Sequence, residues 1–93
     1  MAQFTTRVEL HSAGEFHYQV LHREMAARGF SRTVRADSGD TYHLPTAEYD
    51  CTTNEPRSAV LAAAQAAAVQ TGKGASILVT QSAGRTWSGL PKA

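Results

Sequence analysis

Hydrophobic and polar residues alternate from the start of the chain. Phe4, Val8 and Leu10, with Thr6 between them, fall on one side of the segment from Phe4 to His11. Thr5, Arg7, Glu9 and His11 fall on the other. A period of two marks a strand with one buried face. Ser12-Ala13-Gly14-Glu15 follows and reads as a capping box, in which serine and glutamate each satisfy a free N–H at a helix start. A helix is predicted from about Ala13 to Arg28. Tyr18, Leu21 and Met25 form its apolar stripe, with Phe16 and Val20 on the flank. Gly29 supplies a left-handed residue after the helix.

Phe30 to about Ala36 reads as a second strand. Asp37-Ser38-Gly39-Asp40 reads as a turn, because Gly39 is free to take positive φ. A return strand begins at Thr41. Tyr42 and Leu44 share one phase, Ala47 and Tyr49 the other. Pro45 cannot donate to a ladder, so a bulge is expected there, with the strand running on to about Cys51. Thr53 or Asn54 is placed to cap a second helix, with Pro56 tolerated in its first turn. That helix is alanine-rich from Arg57 to about Thr71, and alanine has the highest helix propensity. Gly72-Lys73-Gly74 ends it, and Ala75 to Gln81 forms the last strand.

The resulting order is βαββαβ. It predicts an α+β, ferredoxin-like sandwich: a four-stranded antiparallel sheet with both helices on one face. Residues 1–93 form a single domain, and Val8, Leu10, Tyr18, Leu21, Met25, Val60, Ala64 and Ile77 are its predicted core. The segment 82–93 has no period, yet it carries Trp87 and Leu90. It is expected to pack back on the body or on a partner.

Composition narrows the chemistry. The net charge is +1, with seven arginines and two lysines. A near-neutral total lacks the footprint of a strongly basic nucleic-acid binder, although arginine offers a planar fork for phosphate or carboxylate. One cysteine, Cys51, excludes an intramolecular disulfide or a paired-cysteine zinc site and fits a reducing cytoplasm. The N-terminus lacks the pattern of a signal peptide, and the longest apolar stretch is too short to enter a membrane as a span. His17 and His22 are five residues apart, about 140° round a helix, so they do not share a metal-binding face. Asp37 and Asp40 flank the turn closely enough to share a divalent cation, although aspartates at turns also cap their own backbone. Arg7 and Arg35 are expected on the open face of the sheet beside Thr5 and Glu9. They serve there either as phosphate contacts or as solvated charges that deter aggregation.

Gly29-Phe30-Ser31-Arg32-Thr33, the hairpin, Tyr42-His43-Leu44-Pro45-Thr46-Ala47-Glu48-Tyr49 and Arg85-Thr86-Trp87 together resemble small bacterial proteins of the GhoS-type endoribonuclease antitoxin family. The resemblance in element order and length covers nearly the whole chain. It implies a ferredoxin-like fold similar to the small CRISPR-associated nucleases. It also implies cleavage of single-stranded messenger RNA, which in the type V toxin–antitoxin system silences a small membrane toxin. Under that reading, a metal-independent cut uses His22 or His43 as base at the 2′-hydroxyl and Arg32 or Arg35 as the cation on the phosphate. A metal-assisted cut places the ion on Asp37 and Asp40. The competing reading is a non-catalytic interaction module, a homodimer through sheet edges or through the Trp87 tail.

Overall fold

The computed structural model describes residues 1–93. The alternation of the first segment becomes β1, Ala2–Leu10. Phe4, Thr6, Val8 and Leu10 are buried, whereas Gln3, Arg7 and Glu9 are exposed. Then come α1 (Glu15–Ala27), β2 (Thr33–Arg35), β3 (Thr41–His43), β4 (Glu48–Thr53), α2 (Arg57–Val69) and β5 (Ala75–Gln81). The chain is therefore α+β, with two helices and antiparallel sheets in the expected order. No helix is long and apolar enough to cross a membrane.

The first helix starts differently from expectation. Ser12 takes φ +51° and Gly14 becomes the N-cap residue. The Gly14 N–H donates to His17 Nδ1 at 3.0 Å, the reach-back task expected of Glu15. The other end follows the sequence closely. Gly29 has φ +87°, its N–H bonds to the Ala26 carbonyl and the Phe30 N–H to that of Met25. This is a Schellman closure, and it drops Phe30 directly into the core. At α2 the N-cap is Pro56, with no side-chain cap. Thr53 Oγ1 instead accepts from the Glu55 N–H at 3.1 Å.

The four-stranded sheet is corrected by the structure. One sheet has three strands in the order β4-β1-β5, and β2 and β3 form a separate two-stranded sheet. β1 lies in the middle, antiparallel to both neighbours, with Thr6 opposite Tyr49 and Val79. The cause lies at Pro45, where a strand break replaces the expected bulge. The Leu44 N–H still continues the hairpin ladder to the Arg32 carbonyl, and beyond it the Glu48 N–H bonds back to the Pro45 carbonyl. Ala47 takes φ +73°. This turn separates the β2–β3 hairpin from β4. One link survives: Ser31 and Asp50 exchange both backbone hydrogen bonds, each 2.7 Å, at the outer edge of β4.

The core is a single cluster of Phe4, Val8, Leu10, Leu21, Met25, Phe30, Tyr49, Val60, Ala64, Ala67 and Ala68. Both helices contribute to it, they touch each other, and α2 lies against β5 and β1. Alanine at the contact lets α2 approach the strands closely. Tyr18 and Ile77, expected inside, sit half-buried at its margin.

Candidate nucleic-acid interface

The polar residues of β1 and β4 face away from the helices, and part of that face is covered. Thr5 and Asp50 are cross-strand partners on it. Arg85 Nη1 donates to Asp50 Oδ1 at 2.6 Å and to Thr5 Oγ1 at 3.3 Å. The two charged side chains are only 18% and 19% exposed. Farther along the tail, the Pro91 carbonyl accepts from the His43 N–H, and the Ala93 N–H donates to the Thr41 carbonyl, each at 2.9 Å. Residues 82–93 thus run from the end of β5 across the sheet to the free edge of β3.

Trp87 meets Tyr42 edge-on, with ring centroids 5.7 Å apart and an interplanar angle of 61°. Offset and edge-on geometries are those that aromatic quadrupoles favour. Val34, paired with Tyr42 across the hairpin, is buried beneath them. Beside this pair lies an open cleft of about 450 Å³, lined among others by Gln3, Arg35, Asp37, Tyr42, Arg85 and Trp87. A second cleft of about 350 Å³ adjoins it, shares Val34, Arg85 and Trp87, and adds Leu44 and Leu90.

The charges around the first cleft have different roles. Arg85 is committed to Asp50, whereas Arg35 forms no salt bridge. A Cβ built on Gly39, which has φ +93°, would lie 3.7 Å from Arg35 Nη2, so the guanidinium lies over the turn. Arg7 does not line the cleft that Arg35 lines. It lies on the main sheet and is neutralised by Glu9 at 3.1 Å and Glu48 at 3.9 Å.

The sequence-derived candidates therefore separate into three places. Arg35 and Asp37 share the cleft wall. His22 lies instead at the core margin, its Nδ1 2.6 Å from the Tyr49 hydroxyl. Burial, then the nearby Arg32 charge, holds the His22 pKa below its usual 6.5. Burial pushes the Tyr49 phenol up, so it keeps its proton, and we assign it as donor to a neutral imidazole. Arg32 is exposed and unpaired, and its charge acts on this His22–Tyr49 pair. His43 is exposed on β3, and its backbone carries the tail. Asp40 accepts from Ser38 Oγ at 3.4 Å and lies 3.5 Å from Lys92 Nζ. No group of three or more His, Cys, Asp or Glu side chains converges. Cys51 is half-buried, and burial, then Asp50, raises its thiol pKa, which opposes a nucleophilic thiolate.

Gln3, Tyr42, Trp87 and the Asp50–Arg85 pair were not among the sequence-derived site residues. The signal available for them was an aromatic on the hairpin and another in an otherwise polar tail. Compared with protein-family models, curated proteins and solved structures, the chain has no match in any of the three.

Proposed function

We propose that this chain binds single-stranded RNA in the cleft where the hairpin meets the tail. The observation that carries this reading is the unpaired Arg35 guanidinium beside the half-buried Tyr42–Trp87 pair. Single-stranded RNA is held by aromatic faces on which unstacked bases lie and by cations that track the backbone. The cleft has both, and the Gln3 amide adds a donor and an acceptor for a base edge. Asp37 on the same wall repels phosphate, so stacking outweighs charge in this site. The Ser31–Asp50 link adds support from the fold. It puts the hairpin next to β4, where a ferredoxin-like sheet of order β5-β1-β4-β2 has its fourth strand. That position agrees with the resemblance to GhoS-type antitoxins.

The reading is binding, not cleavage. No histidine lines the cleft, and His22 is engaged by Tyr49. A general base must lie within hydrogen-bond reach of the hydroxyl it activates.

Anisotropy titration of labelled single-stranded RNA at low salt tests the proposal. Trp87→Ala is expected to cost about 1–3 kcal/mol of binding, the usual range for one stacked base. Arg35→Ala weakens binding about tenfold, as for a charge-assisted hydrogen bond. Asp37→Asn tightens it, and EDTA leaves it unchanged. Lack of affinity at low salt, or equal affinity in Arg35→Ala and Trp87→Ala proteins that remain folded by circular dichroism, would overturn it.

A further inference from the structure

The edges of the strands are treated unequally. The outer edge of β4 meets Ser31, and the outer edge of β3 meets the tail at Lys92. β5 pairs only with β1, through residues 75–81. Its other edge is the longest one left free. Soluble proteins guard such edges with lysines, prolines or bulges. β5 reads Ala-Ser-Ile-Leu-Val-Thr-Gln and has none of these. Along the chain charge is equally sparse: between Arg57 and Arg85 the only charged residue is Lys73, and across the ladder Arg7 and Glu9 of β1 lie opposite Leu78 and Ser76.

We propose that the free edge of β5 pairs with the same edge of a second copy of this chain. The two three-stranded sheets then join as one six-stranded sheet about a two-fold axis at Leu78.

The ladder register supports this occupant. The Ser82 N–H donates to the Gln3 carbonyl and the His11 N–H to the Gly74 carbonyl, each at 2.8 Å. Residues 74 and 82 are therefore hydrogen-bonded positions of the β1–β5 ladder, and by alternation so are 76, 78 and 80. The N–H and C=O groups of Ala75, Ile77, Val79 and Gln81 point to the free side. A two-fold axis through Leu78 sets Ile77 opposite Val79 of the second copy and Ala75 opposite Gln81. Every one of those outward groups then gains a partner. An isologous interface requires such self-complementarity.

The side chains agree with the same axis. Ile77 and Val79 are half-buried on the helix side, packed against the core, and their meeting extends the core across the axis. Leu78 is 64% exposed on the other face. At the axis it meets its own symmetry mate in a non-hydrogen-bonded pair, where side chains approach most closely. Above the edge, a shallow trough of about 320 Å³ is lined by Arg57, Ser58 and Leu61 of α2 with Ile77, Leu78 and Val79. It offers further apolar contact with only one charge. The RNA cleft is built from Gln3 of β1, the hairpin and the tail and includes no residue of β5, so this proposal stands independently of that one.

Sedimentation velocity and light scattering on the full chain at about 100 µM, where mass action favours association, test it. The expected mass is twice the 10.0 kDa of the chain. Leu78→Lys and Leu78→Glu each place like charges against themselves at the axis, and each is expected to run as a folded monomer by circular dichroism. Mixing the two variants restores the doubled mass, because only the heterodimer sets lysine against glutamate. A monomeric wild-type chain overturns the proposal. So does a dimer that survives both substitutions, or two variants that stay monomeric when mixed.

Discussion

Removing the Arg85 guanidinium is expected to release the tail from the sheet and to cost about 2 kcal/mol. The pair with Asp50 is short, 2.6 Å, and the side chains are about four-fifths buried. A hydrogen bond to a charged group contributes roughly 1.5–3 kcal/mol. Breaking a fully buried pair costs about 3–5 kcal/mol, because the remaining charge is stranded. Asp50 retains some solvent, so Arg85→Ala falls at the lower of these ranges. For a domain of this size each kcal/mol moves Tm by about 4–8 °C, so the midpoint should fall by roughly 8–16 °C. Trp87, two residues along, is the only tryptophan and reports the tail directly. Its emission should shift to the red in the variant before unfolding begins. In an Asp50→Asn background the same substitution should cost less, since no stranded charge remains, and the difference measures the coupling. Unshifted Trp87 emission together with a stability loss below about 0.5 kcal/mol, the range of neutral surface changes, would refute this account of the tail.

Three further outcomes follow from the core. Ala64 is fully buried at the contact of α2, so Ala64→Leu should overpack it and lower stability by about 1–3 kcal/mol in urea titration. Thr6 is fully buried and its hydroxyl has no hydrogen-bond partner. Thr6→Val, which keeps the shape, should therefore raise the urea midpoint by about 1 kcal/mol equivalent. His22 is held neutral in the fold below its usual 6.5, so the unfolded chain binds that proton more readily. Its contribution is fully present above pH 6.5 and is lost as pH falls from 6.5 through the lowered value. His22→Gln should flatten that part of the stability–pH curve, and an identical slope in both proteins would remove His22 as its source.

Local chemistry explains which parts of this fold could be read from sequence. The alternation of β1, the stripe of Leu21 and Met25, the Schellman glycine at 29 and the alanine face of α2 each depend on residues within a turn or two of one another. The path of the hairpin does not. Pro45 announces a missing donor, but a bulge and a strand break both answer that lack. The choice shows in Ala47 at positive φ and in the Glu48 N–H bonding back to the Pro45 carbonyl, neither of which the missing donor alone specifies. The Ser12–Glu15 box is displaced by two residues, since Gly14 rather than Ser12 is the N-cap and His17 accepts from its N–H. In the cleft, Arg35 and Asp37 were legible as a charged strand end and a turn. Their neighbours Gln3 and Trp87 come from opposite ends of the chain, and no local pattern joins them. The partner of Arg85 lies 35 residues away, and that of His22 lies 27 away.

The central place of β1 has a consequence for biosynthesis. Of the five strands it is the first to be synthesised, yet its two neighbours come from residues 48–53 and 75–81. Until then Phe4, Val8 and Leu10 have no sheet to join, and the nascent chain carries a β-strand with both edges bare. Only α1 and the short hairpin are built from contacts close in sequence, and neither covers that strand. The domain therefore cannot be assembled progressively from its N-terminus. β4 supplies the first neighbour of β1 and β5 only the last, so a chain stalled in α2 leaves the β5-side edge of β1 bare to whatever chaperone or aggregate meets it first.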